Sequence, residues 1–272
     1  MTRRRSHIAV LAYLLSAPVF AQPVPPASSL LNNNATFKDD VNLVLLDVSV
    51  HNNKGGFVSG LEKSNFRVLE DDRPQTITQF ANTDMPVTVG LVVDESGSMR
   101  QKRPDVIVAA LVFIQASNPH DEIFVVNFND DVTFGLPVSR PFSDNIQQLR
   151  AALWMGDPDG RTRLYDAIIA ALGHLEKGRC GRKALIVISD GGDNYSKHAF
   201  EPTLRDVEES RATIYTVGVF DQTDPDRNPR VLERLSRATG GATYLPKSLA
   251  EVPDVCRQIA KDIRTRYTLG YV

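Results

Sequence analysis

The chain has 272 residues, of which 42% are hydrophobic and 24% are charged, with a formal net charge of −2 and an isoelectric point near 6.2. This balance offers no basic surface of the kind that binds nucleic acid, and the length allows one large α/β domain with a small additional module. The two cysteines, Cys180 and Cys256, either pair in a secreted chain or remain two small thiols, and their spacing does not suggest a zinc site.

The first 21 residues have the pattern of a secretory signal peptide. Arg3-Arg4-Arg5 precedes a short apolar stretch, and Val19-Phe20-Ala21 ends in small residues suited to cleavage. The stretch is shorter than the roughly 20 residues that span a bilayer, and no later segment is apolar enough. We therefore expect a secreted, periplasmic or envelope protein without an integral membrane segment after cleavage; a disordered basic tail is the alternative. Residues 22–40, rich in Pro, Ser and Asn, are expected to form a linker.

Residues 41–82 predict a small β module. Apolar residues alternate along Val41–His51 as in a half-buried strand. Asn52–Gly56 has the composition of a turn, and Phe66–Glu70 and Gln75–Phe80 predict two more short strands. Because a module of this size cannot hold a large core, we expect it to lean on the main domain.

From Pro86 onward the predicted strands and helices alternate, which favours a doubly wound, mostly parallel sheet flanked by helices. Strands are predicted at 87–93, 123–128, 132–136, 183–189, 213–219 and 243–245, and helices at 105–116, 143–154, 164–175, 201–211, 229–239 and 249–263. The second and third strands should form a hairpin, and Ser143 should cap the helix that follows it. Residues 264–272 provide a link and a terminal strand.

Two of these apolar strands run directly into polar residues that suit a metal ion. Val87–Val93 is followed by Asp94-Glu95-Ser96-Gly97-Ser98, and Lys183–Ser189 is followed by Asp190. Because ligands of open α/β sheets bind outside the carboxyl ends of strands, two carboxylates and two hydroxyls should meet there. Such oxygen ligands suit Mg²⁺, Mn²⁺ or Ca²⁺. Taken singly, these aspartates and serines would cap turns; taken together, they favour a metal site.

A third segment completes a recognisable order of motifs. Gly160-Arg161-Thr162 is a glycine turn and a threonine ahead of a helix. Together with the DxSxS element and the distal aspartate, it makes the chain resemble a von Willebrand factor type A domain from about Pro86 to about Lys261, within a predicted domain of residues 86–263. The family positions fall on Asp94, Ser96, Ser98, Thr162 and Asp190.

The resemblance implies that these five residues form a metal-ion-dependent adhesion site. In the family the two serine hydroxyls bind the ion directly, the threonine joins when ligand is engaged, and the aspartates often act through water. The resemblance therefore implies a non-enzymatic, adhesion-like binding module, in which Mg²⁺, or Mn²⁺ or Ca²⁺, engages an Asp or Glu carboxylate of a protein partner. It also implies that ligand can shift the final helix, 249–263; a rigid domain is the alternative.

The segment ahead of the domain is similar to the corresponding region of secreted bacterial A-domain proteins of the acidobacterial type. The residues that carry this likeness are Gly56, Val58, Gly60, Leu61, Phe66, Val68, Gln75, Ile77 and Phe80.

Two other functions stay open from the sequence: a metal-dependent hydrolase, and a structural domain in which a metal only stabilises the fold. An enzyme would need a base near the ion, and only His198 follows a site loop, where a surface histidine is expected. No G-x-S-x-G or P-loop motif occurs. Asp166 and Asp193 are expected to be a helix-start charge and a turn residue. Thr162 has the alternative of a helix N-cap, and Glu95 is expected to point to solvent.

Overall fold

The computed structural model describes residues 43–50, 52, 58–220 and 227–272. The predicted signal peptide (1–21) and linker (22–40) lie outside the described residues, as do the two ends of the first predicted strand, Val41 and His51, and most of the turn at 52–56. Residues 42–272 belong to one structural unit. Among the described residues, no helix is long and apolar enough to cross a bilayer.

The described residues contain eleven strands and six α-helices. The strands are β1 (Val44–Val48), β2 (Val68–Glu70), β3 (Arg73–Gln75), β4 (Gln79–Ala81), β5 (Val87–Asp94), β6 (Glu122–Phe128), β7 (Val132–Phe134), β8 (Arg182–Ser189), β9 (Ala212–Gly218), β10 (Thr243–Tyr244) and β11 (Tyr267–Tyr271). The helices are α1 (Arg103–Ala116), α2 (Ile146–Leu153), α3 (Leu164–Leu175), α4 (Phe200–Glu209), α5 (Pro229–Ala238) and α6 (Val252–Arg264). Every strand and helix predicted after residue 86 is present, with its ends displaced by at most a few residues.

A six-stranded sheet in the order β10-β9-β8-β5-β6-β7 forms the centre of the main domain. Neighbouring strands are parallel except for the β6–β7 hairpin. Every residue of β5 is buried because the strand is central and both faces of the sheet are covered, which explains its uninterrupted apolar sequence. The predicted doubly wound, mostly parallel fold is confirmed, and its core is continuous across the sheet and the flanking helices.

The start of α2 differs from the prediction. Ser143 does not cap the helix, because its backbone forms an isolated antiparallel bridge with Ile123. The cap is Asn145, whose Oδ1 accepts the N–H groups of Gln147 and Gln148 at 2.9 and 3.1 Å. Three consecutive capping residues, Ser143-Asp144-Asn145, make this boundary ambiguous from sequence, and the long-range bridge decides it.

The terminal strand completes the β module. Its small sheet has the order β1-β11-β4, with both pairings antiparallel. Leu269, on the central strand, lies opposite Leu46 on one side and Phe80 on the other. The predicted strand Gln75–Phe80 is divided between β3 and β4, because Ile77 between them enters the core of the module.

Side-chain contacts attach this module near the first residues of the parallel strands. Arg182, the first residue of β8, donates to Thr268 Oγ1 at 2.7 Å. On α6, the buried carboxylate of Asp262 accepts the hydroxyls of Tyr215, at 2.5 Å, and Ser49. The module therefore packs on the edge of the main sheet that is opposite to the carboxyl ends of its strands.

The two cysteines are separate thiols. Cys180 is half-buried before β8, and Cys256 is buried on α6. Burial raises the pKa of the Cys256 thiol to about 12, so it is a neutral part of the core.

Candidate metal centre

The five residues predicted to bind a metal come from three loops at the carboxyl edge of the sheet. Asp94 ends β5, and a 3-10 turn, Gly97–Met99, follows it. Asp190 comes directly after β8, and Thr162 lies two residues before α3. Because β5 and β8 are paired neighbours, their ends bring the two aspartates together.

A chain of hydrogen bonds connects four of the five residues. Asp94 Oδ1 accepts the N–H of Ser96 at 2.9 Å. The hydroxyl oxygens of Ser96 and Ser98 lie 3.2 Å apart, and the Ser98 hydroxyl donates to Asp190 Oδ2 at 2.6 Å. Asp94, Ser96 and Asp190 are buried, whereas Ser98 is exposed. The cluster is therefore open to solvent on the side of Ser98.

Ser189 belongs to the same cluster and is missing from the sequence prediction. This last residue of β8 is fully buried. Its hydroxyl donates to Asp94 Oδ2 at 2.6 Å and accepts the N–H of Gly191 at 3.0 Å. Ser189 therefore fixes the orientation of the Asp94 carboxylate. Its position directly before Asp190, at the end of an apolar strand, is the sequence signal that could have identified it.

The electrostatics of the cluster favour a cation. Burial, and the neighbouring carboxylate of Asp190, raise the pKa of Asp94 to about 7, although hydrogen bonds from Ser189 and Ser96 oppose the shift. Two carboxylates held side by side away from water repel each other when both are ionised. A divalent cation between them would remove this repulsion.

Thr162 is buried and lies in a loop that contacts both aspartate-bearing segments. Its N–H donates to Asn194 Oδ1 at 2.9 Å, and its carbonyl accepts the N–H of Tyr195 at 3.0 Å. Gly97 N–H donates to Gly160 O at 3.1 Å, which joins this loop to the serine turn. The N-cap position of α3 belongs to Arg163, so the N-cap alternative for Thr162 is wrong. Thr162 is not itself a member of the hydrogen-bonded chain of the other four residues.

Two nearby acidic residues bind protein groups, as expected of a helix-start charge and a turn residue. Asp193 accepts the N–H of Tyr165 at 3.0 Å. Asp166, in the first turn of α3, lies 2.7 Å from Nδ1 of His198. The side chain of His198 is about half exposed, so it is a surface histidine held by Asp166.

Glu95 does not point to solvent, which corrects the prediction. Its side chain is only 3% exposed, and one carboxylate oxygen lies 2.8 Å from Nη2 of Arg103, whose side chain is 8% exposed. Burial raises the pKa of Glu95, and the Arg103 guanidinium opposes this shift. The cause of the burial is the connection between α2 and α3, which passes over the carboxylate: Glu95 Oε2 lies against Gly156.

The donor set fits a hard divalent cation. It contains two carboxylates and the hydroxyls of Ser96, Ser98 and Thr162, and no sulfur or imidazole. Within the ranges that the structure describes, no group of three or more His, Cys, Asp or Glu side chains is arranged to hold a metal. An all-oxygen site with few carboxylates suits Mg²⁺ or Mn²⁺ rather than zinc or copper.

The sequence and the fold both have relatives. Residues 89–192 match the family model described as the von Willebrand factor type A domain, and this segment includes all five candidate ligands. A search of curated proteins found no significant match.

Several solved structures share the fold. A von Willebrand factor type A protein from Catenulispora acidiphila superposes with a TM-score of 0.59 at 16% identity, over 74% of this chain and 52% of the other. The chain thus spans about half the length of that relative. The pilus adhesin SpaC from Lactobacillus rhamnosus GG gives 0.55 at 15% identity, over 68% and 31% of the two chains. The vWF domain of the type V pili tip protein Mfa5 from Porphyromonas gingivalis gives 0.55 at 14% identity, over 67% and 96%. Identities this low demonstrate the fold alone.

Proposed function

We propose that the chain, which has this fold and matches the family model over residues 89–192, is a metal-ion-dependent, adhesion-like module that engages a carboxylate of a protein partner. The observation that carries the proposal is the cluster of Asp94, Ser96, Ser98 and Asp190, joined by hydrogen bonds and open to solvent at Ser98.

Each side chain has a distinct role in this proposal. Ser96 and Ser98 present hydroxyl oxygens towards one point, and Thr162 adds a third when its loop closes on them. Asp94 and Asp190 supply negative charge from the buried side of the cluster, and Ser189 orients the Asp94 carboxylate. Mg²⁺ or Mn²⁺ bound here would supply an electrophilic position that a partner's Asp or Glu completes. Because Ser98 is the exposed member of the cluster, the partner approaches from its side.

Protein binding is supported by the kinds of protein that share the fold. Two of them are a pilus adhesin and a pilus tip protein. The predicted signal peptide agrees with a similar location, and we infer a secreted, periplasmic or envelope protein. The hydrolase alternative has less support, because the histidine nearest in sequence to Asp190 is a surface residue paired with Asp166. A purely stabilising metal would not require the cluster to be open at Ser98.

Metal binding is the first test. Calorimetry with Mg²⁺ and Mn²⁺ should show one ion per chain for the wild type and no measurable binding for Asp94→Ala. Ser98→Ala should bind weakly. Ser210→Ala is the matched control, because it removes a hydroxyl that donates to Val207 O at 2.7 Å at the end of α4, away from the cluster. Equal affinity in Asp94→Ala and the wild type would refute the site.

Partner binding is the second test. Immobilised wild type and Ser98→Ala are compared in pull-downs from the envelope fraction of the source organism, with Mg²⁺ or with chelator. Proteins retained by the wild type only with Mg²⁺, and not by Ser98→Ala, would support the proposal. Retention that is indifferent to chelator and to the substitution would contradict a metal-dependent contact.

A further inference from the structure

We propose that Glu95 and Arg103 form a buried brace that positions the connection between α2 and α3, and with it Thr162, against the metal site. The consequence for metal rests on the function proposed above, whereas the brace itself is a property of the metal-free chain. In this assignment Glu95 and Arg103 are positioning residues and not ligands.

The connection needs such support. Residues 154–163 join α2 to α3 without regular structure, and they include Gly156 and Gly160, both with positive φ. A segment of this kind has no fixed position of its own, since ordering each residue costs about 1–2 kcal/mol of backbone entropy. Thr162 lies near its end and can contribute to the site only if the segment is held.

Arg103 holds the beginning of the segment. From the first turn of α1, its Nη2 lies 2.8 Å from Glu95 Oε1 and donates to the carbonyl of Gly156 at 2.9 Å. A longer contact, 3.4 Å, joins the same nitrogen to the carbonyl of Met155. The guanidinium is thus the buried link between the carboxylate of the metal-site turn and the backbone of the connection.

Gly156 fits this arrangement closely. A Cβ placed there would lie 2.7 Å from Glu95 Oε2, and its φ of +93° disfavours other residues. Glycine at this position lets the backbone rest directly against the Glu95 carboxylate.

The metal-site turn uses alternate residues for two tasks. Asp94, Ser96 and Ser98 face the cluster. The residues between them hold the connection: Glu95 near Gly156, and Gly97 through its N–H to the carbonyl of Gly160. The five-residue turn therefore carries three candidate ligands and also fixes both ends of the segment that delivers a further one, Thr162.

The pairing also protects the site electrostatically. The positive charge of Arg103 balances Glu95, so the brace adds no net charge beside the ion. Removing one partner leaves the other buried and uncompensated, which is strongly destabilising locally.

The test uses Glu95→Gln, Arg103→Gln and the conservative Arg103→Lys. The matched control is Arg264→Gln, because Arg264 likewise joins a carboxylate, Asp84 at 2.7 Å, to a backbone carbonyl, that of Ala116 at 3.1 Å. That pair lies at the opposite edge of the sheet. Mn²⁺ affinity is measured by calorimetry well below the melting temperature of each variant, and hydrogen exchange of residues 154–163 is measured in chelator.

We expect Glu95→Gln and Arg103→Gln to weaken Mn²⁺ binding by about 10- to 100-fold, as second-sphere changes do, and to speed exchange in residues 154–163. Arg103→Lys should recover part of both effects, and Arg264→Gln should show neither. If residues 154–163 of Glu95→Gln and Arg103→Gln exchange at the wild-type rate, the brace is overturned, whether or not metal binds. If the two variants exchange faster but the wild type itself binds no Mn²⁺, the proposed function is refuted and the brace stands.

Discussion

Replacement of Asp94 by asparagine is expected to stabilise the metal-free protein while it removes metal binding. The pKa of Asp94 is raised from 3.8 to about 7 by burial and by Asp190. The folded protein therefore holds this proton more tightly than the unfolded chain does. The resulting loss of stability begins as the pH rises above about 4 and is complete above about 7.

The size of the effect follows from the shift. A difference of about three pKa units corresponds to about 4 kcal/mol at pH 8. Asparagine cannot ionise, and its Oδ1 still accepts the N–H of Ser96, but its Nδ2 forces Ser189 to change from donor to acceptor. A rearranged hydrogen bond costs about 1 kcal/mol. We therefore expect a net gain of about 2–3 kcal/mol at pH 8 for Asp94→Asn, and a smaller one at pH 5.

Urea denaturation in chelator, at pH 8 and pH 5, measures the free energy of unfolding of both proteins. Added Mg²⁺ should then stabilise the wild type and leave Asp94→Asn unchanged. Asp262→Asn is the control, because Asp262 is also a buried carboxylate and accepts two hydroxyls. This substitution should lower stability at both pH values. If Asp94→Asn is less stable than the wild type at pH 8, or gains equally at both pH values, the reasoning about charge repulsion is wrong.

Three further predictions concern the rest of the fold. Burial lowers the pKa of His174, which stacks on Phe134 and whose Nε2 lies 3.0 Å from the carbonyl of Pro141. The contribution of the neutral imidazole to stability is complete above about pH 6.5 and is lost as the pH falls. His174→Gln should therefore flatten the dependence of the unfolding free energy on pH between pH 7 and pH 5, and an unchanged slope would contradict this. Gly241→Ala would place a Cβ 1.9 Å from the carbonyl oxygen of Ile214 and should lower the free energy of unfolding by about 3 kcal/mol or more. Gly240→Ala, whose Cβ would meet no atom within 4 Å but whose φ is positive, should lower it by about 1 kcal/mol. Equal melting temperatures of the two variants would refute the packing argument. Hydrogen exchange of α6 should stay the same when Mn²⁺ and an acidic peptide are added, and faster exchange would favour a moving final helix.

The sequence reveals the parts of the fold that depend on short stretches of chain. Buried parallel strands must be apolar along their whole length, so the apolar runs of the sequence identify β5 and β8 directly. Because ligands of open α/β sheets bind at the carboxyl ends of strands, the loops that follow these two strands are identified as the candidate site. Asp94 and Asp190 therefore come together as expected.

What the sequence does not reveal depends on contacts between distant segments. Glu95 lies in an irregular turn, where no periodicity tells which way a side chain points, and its burial depends on Arg103 and on a connection some 60 residues later. In the sequence, Ser189 is a single polar residue at the end of an apolar strand. Only the pairing of β8 with β5 shows that its hydroxyl donates a hydrogen bond to the Asp94 carboxylate. The partner strands of β11 lie about 190 and 220 residues earlier in the chain, so no local pattern predicts them.

The position of β11 limits what α6 can do. Only Thr265 and Arg266 separate α6 from β11, which is the central strand of the module's small sheet. An axial shift of α6 would have to pull β11 out of register with both β1 and β4, and a one-residue slip would turn Leu269 and Tyr271 out of the module's core. Asp262 on α6 also bonds to Ser49, directly after β1. Because β5 alone is about 25 Å long, the candidate metal centre at its carboxyl end is far from these anchors. A ligand bound there would have to supply enough free energy to break them. For the proposed partner site, a module that fixes the last helix in this way favours a constant affinity over an affinity that switches with helix position.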